Sequence, residues 1–150
     1  MKSIRKYSLI LALLLIPTSL YFYFNCDKNR VENRWYTKQQ VAKGEKIFLN
    51  NCATCHGKKA QKTVNWKKTL PDGSYPPPPL NGSAHAWHHS FKQYIEIITL
   101  GGKPYKGNMP AFYDTLTLEE KKAAISYFQS FWSDEIYNKW VKYDGLKGLE

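Results

Sequence analysis

Two thiols and an imidazole stand together in Cys52-Ala53-Thr54-Cys55-His56, the stretch of this 150-residue chain with the most chemistry in it. Cysteines separated by two residues, with a histidine directly after the second, have the spacing of a c-type haem attachment site. On one helical turn both sulfurs reach the vinyl-derived carbons along one porphyrin edge, and the adjacent imidazole points at iron from one side. A bare C-x-x-C would also suit zinc or a thiol redox centre. Zinc needs a second ligand pair, and the only other cysteine, Cys26, sits against a hydrophobic run. A thioredoxin-like centre belongs near βαβ patterning, and the chain has no such alternation. These residues predict one covalently bound haem c per chain, with Cys52 and Cys55 as attachment points and His56 as the first axial ligand.

Low-spin electron-carrying iron takes two strong axial ligands, His with Met or His with His. Beyond the initiator there is one methionine, Met109, in Lys103-Pro104-Tyr105-Lys106-Gly107-Asn108-Met109-Pro110-Ala111-Phe112. Glycine and proline shape that loop so that it can lay a thioether over a flat macrocycle. The bland alternative is a flexible core filler. His85, His88 and His89, around Trp87, compete with it: they could give a second imidazole ligand, bond a haem propionate, or gather copper or zinc. Their ordinary role would be a polar loop capping the next helix.

Helices must position these groups. Thr37-Lys38-Gln39-Gln40 has the pattern of a capping box, and Val41, Gly44 and Phe48 follow at helical spacing into Cys52. Ser90-Phe91-Lys92-Gln93 opens a second helix carrying Tyr94, Ile95 and Ile98, stopped by Gly101-Gly102. Thr117-Leu118-Glu119-Glu120 opens the longest, with Ala124, Ile125, Phe128 and Trp132 apolar, and Ser133 could cap a short helix through Trp140. No β-hairpin alternation and no repeat is visible, so the fold is expected to be all-α. Between the first two helices Asp72-Gly73 marks a turn. Residues 76–79 are all proline and must be extended, since each fixes φ and lacks a donor. A structural wall suits that run better than a docking motif for SH3-like partners.

The N-terminus reads as an anchor. Lys2, Arg5 and Lys6 precede an uncharged run from Tyr7 to about Phe24, close to the roughly 20 residues that span a bilayer. Positive charges before the run place the N-terminus in the cytoplasm and the rest outside. Pro17-Thr18-Ser19 is a poor cleavage site, which favours a retained helix over a removed signal peptide. The expected domains are a membrane anchor at 1–25, a polar tether at 26–36, and a haem domain at 37–150 with a helical extension from about 133. The expected location is the bacterial inner membrane, single-pass, with the haem domain in the periplasm. A net charge of +10 comes from scattered lysines without a nucleic-acid motif, so nucleic acid is not an expected partner.

From about Thr37 to Trp132 the chain resembles a small class I cytochrome c. Besides the attachment motif, Gly44 and Phe48 lie where that family crosses its first and last helices, and Tyr127 resembles the aromatic packed on the glycine. Pro78-Pro79-Leu80-Asn81-Gly82 resembles the family's P-x-L-x-G stretch, and Met109-Pro110 its methionine-ligand loop. The resemblance implies three to five helices around one haem. It also implies that the Pro78 carbonyl accepts from the second nitrogen of His56. The candidate pocket walls are Phe48, Leu80, Ile95, Ile98, Phe112 and Phe128. The implied role is electron carriage without bond chemistry, and Lys58, Lys59, Lys62, Lys103 and Lys106 would border the haem edge and steer an acidic partner. A membrane-held carrier of this kind suits a quinol-oxidising complex as donor and a terminal oxidase or exported reductase as acceptor. The alternatives are a haem-binding subunit of a larger oxidoreductase, or a sensor or peroxidase in which Met109 is displaced. The chain departs from the smallest members in the segment 58–75 and in the tail after Ser133.

Overall fold

A computed structural model describes residues 29–149. The expected membrane anchor and Cys26 lie outside the described residues. Among the described residues no helix is long and apolar enough to cross a membrane.

Part of the stretch expected to be a tether has local structure of its own. Arg30 and Thr37 form an isolated antiparallel bridge, the Arg34 amide donates to the Val31 carbonyl at 3.2 Å, and Asn33 turns the chain at φ 56°. Trp35 and Tyr36 meet edge to face at 5.3 Å, and Tyr36 is buried. The polar composition of the segment hid this, because the two aromatics stand at its very end.

The described residues from 40 onward form one unit. Five α-helices lie among the described residues: α1 (Lys38–Asn51), α2 (Ala53–His56), α3 (Phe91–Leu100), α4 (Leu118–Gln129) and α5 (Asp134–Lys142). The caps follow the expected chemistry. Ser90 Oγ accepts from the Gln93 amide while the Gln93 side chain accepts from Ser90 N, and Thr117 and Glu120 repeat the arrangement at α4. Each satisfies two of the four amide donors that a helix start leaves unpaired. Ser133 caps α5 through the Ile136 amide. Gly101, at φ 83°, ends α3 in a conformation that side chains rarely adopt.

The core runs along α4, where every residue from Ala123 to Gln129 is buried. At its crossing with α1, a Cβ on Gly44 would stand 1.9 Å from the Ala123 carbonyl oxygen and 3.1 Å from Tyr127 Cβ. Only a glycine lets the two backbones come this close. Phe48, one turn on, packs its ring on Tyr127 at 5.3 Å, so the expected glycine–aromatic crossing is present. Helix α3 packs on α4, and the buried Lys121 ties them by donating to Thr99 Oγ1 at 3.0 Å.

The C-terminal extension is integral to the unit. Trp140 and Tyr137 are buried, and α5 packs on a 3-10 turn at His85–His88. Trp140 Nε1 donates to the His89 carbonyl at 2.8 Å, and Trp132 Nε1 to the Leu80 carbonyl at 2.7 Å. Beyond α5 the chain pairs with the start of α3: Phe91 N donates to Gly145 O and Lys92 N to Lys147 O.

Candidate functional site

The helical turn α2 presents the attachment motif. Its amides are held by α1 and by the turn itself: Cys52 N donates to Phe48 O at 2.8 Å and His56 N to Cys52 O at 2.9 Å. Gly57, at φ 78°, then turns the chain away. Cys52 is half-buried, Cys55 exposed and His56 buried, and neither cysteine takes part in a disulfide. Burial, and secondarily the neighbouring Cys55, push the Cys52 thiol up to about 11.

Nδ1 of His56 lies 3.2 Å from the Pro78 carbonyl oxygen. A carbonyl only accepts, so Nδ1 carries the hydrogen and Nε2 keeps a free lone pair. Burial lowers the pKa of the ring, partly opposed by the Pro78 bond. The imidazole is thereby neutral, oriented and ready to donate electrons to a metal. Pro78 is itself fixed through its neighbours, since Leu80 N donates to Ala60 O at 2.8 Å. The segment around Ala60 is in turn tied to α4, where Tyr127 Oη donates to Lys58 O at 3.0 Å.

Cys52, Cys55, His56, Pro78, Leu80 and Met109 all line one cavity of about 410 Å³. The proline run forms part of its wall, with Pro76, Pro77 and Pro78 facing it. Of the apolar walls expected from sequence, Phe48, Leu80, Ile98, Phe112 and Phe128 are present; Ile95 is not, and Ile97 takes its place. The difference arises in the rotation of α3, which buries Phe91 and Tyr94 and so turns Ile97 and Ile98 together toward the cavity.

The Met109 loop wraps against the paired glycines at the end of α3. Gly102 N donates to Met109 O at 2.9 Å and Gly107 N to Gly102 O at 3.0 Å. A Cβ on Gly102 would lie 3.0 Å from Met109 Cβ, and one on Gly101 2.8 Å from Met109 O. Both glycines are therefore steric conditions for the methionine to stand where it does.

The histidines divide. His85 and His89 line the cavity and His88 does not. The rings of His85 and Trp66 stack at 4.2 Å and 17°, and His85 Nδ1 is buried without a partner. Burial is the main cause lowering the pKa of both His85 and His89. No group of three or more His, Cys, Asp or Glu that could hold a metal ion exists among the described residues.

Several cavity residues were not picked out from the sequence: Trp66, Leu70 and Tyr75 from the segment 58–75, and Tyr94, Tyr105 and Asn108. Tyr94 had looked like ordinary helix core, and its hydroxyl donates to the Ala86 carbonyl. For the segment 58–75, the one usable signal was a tryptophan within a run of lysines.

A cavity with apolar walls, two thiols and a neutral imidazole at one site, a thioether and an unsatisfied buried nitrogen fits a covalently attached haem. The volume lies within the roughly 300–1,000 Å³ of ordinary cofactor sites. Residues 39–128 match the family described as cytochrome C oxidase, cbb3-type, subunit III. No curated protein and no solved structure matches the chain.

Proposed function

Because this chain belongs to the cbb3-type cytochrome c oxidase subunit III family of c-type cytochromes, whose haem c is bound covalently, we propose that it carries single electrons with His56 and Met109 as axial ligands. The observation that carries this reading is the presence of Cys52, Cys55, His56 and Met109 on one apolar cavity. When bound, the haem supplies reversible one-electron exchange at iron.

The protein residues then have separate tasks. Cys52 and Cys55 hold the group by thioether bonds, so that it cannot dissociate. The Pro78 carbonyl holds the His56 ring in one tautomer and raises its basicity. Met109 offers a soft donor that favours the lower oxidation state. Phe48, Ile98, Phe112 and Phe128 exclude water, which disfavours added charge in the cavity. With His56 and Met109 both holding the metal, the protein would transfer electrons without making or breaking bonds in a substrate.

Lys58, Lys59 and Lys62, which follow the attachment motif, and Lys103 and Lys106, in the methionine loop, are all exposed and supply positive charge there. They steer an acidic redox partner, raising encounter rate more than affinity. The partners we propose are a quinol-oxidising complex as donor and a terminal oxidase as acceptor. Anchoring by the apolar segment at 1–25 in a bacterial inner membrane, with the haem domain in the periplasm, keeps the carrier near both. The family's description as an oxidase subunit also favours a second reading, a resident subunit of such an oxidase. A protein that is monomeric after mild detergent extraction would count against residence.

The test is the visible spectrum of the haem-loaded, dithionite-reduced chain before and after carbon monoxide. An unchanged spectrum is expected for two strong axial ligands. Immediate formation of a carbon monoxide adduct would overturn His/Met carriage and favour a sensor or peroxidase.

A further inference from the structure

The segment 58–75 sets this chain apart from the smallest cytochromes, and its last six residues reach the methionine loop. Residues 70–74 form a closed turn: Gly73 N donates to Leu70 O at 2.9 Å and Leu70 N to Ser74 O at 2.8 Å. Gly73 permits it with φ 81°. Inside the turn, Asp72 Oδ1 accepts from both Ser74 N at 2.9 Å and Ser74 Oγ at 2.6 Å.

That turn grips the residue next to Met109. Asn108 Nδ2 donates to Ser74 Oγ at 2.9 Å and to Asp72 Oδ2 at 3.3 Å. The backbone adds a third tie, since Tyr75 N donates to Lys106 O at 2.7 Å within a parallel bridge between Tyr75 and Gly107. Tyr75 itself lines the cavity, as do Gly107 and Asn108. On its other side the loop is held to the end of α3, by the two bonds with Gly102 described above, by Tyr105 N donating to Gly102 O at 2.9 Å and by Phe112 N donating to Ile98 O at 2.9 Å. Met109 therefore sits on a short loop clamped between the end of α3 and a turn more than thirty positions earlier in the chain.

We propose that the 70–75 turn is a latch for the axial methionine, with Asp72, Ser74 and Asn108 as positioning residues that keep the Met109 loop closed over the cavity. This rests on Met109 being the sixth ligand. The latch sets the fraction of time for which the thioether is engaged, and so the access of competing small ligands to iron. A chain without it would hold the same methionine on a loop tied to α3 alone. Each of these bonds is made at the surface and contributes a modest amount, so losing the Asn108 amide should raise the methionine-off population by about five- to tenfold.

The experiment uses the full haem-loaded chain, oxidised, and follows the weak far-red absorbance of a thioether bound to ferric iron while pH is raised. The variants are Asn108→Ala, Ser74→Ala, the conservative Ser74→Thr, and Met109→Ala as reference. Far-UV circular dichroism and covalent haem content check that each variant folds and loads. For Asn108→Ala and Ser74→Ala the absorbance should disappear at lower pH than in the parent, and carbon monoxide should bind the reduced protein about five- to tenfold more readily. Ser74→Thr, which keeps the hydroxyl, should behave as the parent. If the parent shows the absorbance, Met109→Ala loses it, and both latch variants match the parent, the latch is overturned while the ligand assignment stands. If the parent lacks the absorbance and Met109→Ala leaves the spectrum unchanged, the assignment of Met109 fails, and the latch with it. Should Asn108→Ala fail to load haem, Ser74→Ala alone decides by the same criteria.

Discussion

At the residue scale, the attachment motif assigns its own tasks. Cys52 and Cys55 differ in exposure, and each thioether is an independent covalent bond. Replacing Cys55 by alanine should leave haem held through Cys52 alone, with one vinyl group still conjugated to the ring. The alkaline pyridine haemochrome of Cys55→Ala should therefore shift to longer wavelength, with haem retained on a denaturing gel. An unshifted band would mean that Cys55 forms no thioether. His56 depends on a residue twenty-two positions away, since only the Pro78 carbonyl fixes its tautomer. That pairing was legible in the sequence through the resemblance of Pro78-Pro79-Leu80-Asn81-Gly82 to a known stretch. The stacking of Trp66 on His85 was not, because no periodic pattern relates a loop tryptophan to a distant 3-10 turn.

At the element scale, the crossing of α1 and α4 and the packing of α5 carry the stability of the pocket. Gly44→Ala puts a methyl group 1.9 Å from a backbone oxygen, and no rotamer relieves it. We predict a loss of about 3 kcal/mol, at the upper end of the range for overpacking. Gly73→Ala is a useful contrast: nothing lies within 4 Å of the added carbon, but φ is 81°, so the cost should be about 1–2 kcal/mol of backbone strain. Guanidinium unfolding midpoints of the two variants check both figures; equal losses would contradict the steric argument. Trp140→Phe keeps the buried ring but leaves the His89 carbonyl without its indole donor, which should cost about 1–3 kcal/mol. Helix starts were legible because Ser90, Thr117 and Ser133 pair chemically with amides three residues later. The choice of Ile97 over Ile95 as a wall residue was not, since both fall on a half-buried helix and only packing against α4 decides the rotation. The C-terminal stretch was foreseen as a helix, but its closure on residues 85–92 depends on contacts some fifty positions apart.

At the scale of the whole molecule, protonation and charge govern behaviour. His85 and His89 have pKa values lowered mainly by burial, with repulsion added by His89, His88 and Lys67 for His85 and by His88 for His89. Below the ordinary value of 6.5 the unfolded chain binds more protons at these rings than the native one, so stability falls as pH drops through that value. Asp72 and Glu120 are lowered by hydrogen bonds from Ser74 and Thr117 respectively. Their contribution is present above the ordinary carboxylate values of 3.8 and 4.5 and is lost on further acidification. Unfolding midpoints of the haem-loaded protein should therefore fall in two stages between neutral pH and about pH 3; a flat profile through the first stage would refute neutral histidines in the fold. With a net charge of +10, electron transfer to an acidic partner should slow as salt rises, since screening is strong beyond about 10 Å at 0.1 M ionic strength. Stopped-flow rates that ignore salt would remove the steering role of the lysines.

The pairing of Phe91 and Lys92 with Gly145 and Lys147, and the indole bond from Trp140 to His89, have a consequence for biosynthesis. The wall that carries His85 and His89 is buttressed by residues that leave the ribosome long after Cys52 and Cys55 have emerged. Any chain still short of Trp140 thus carries both thiols without the buttress of that wall.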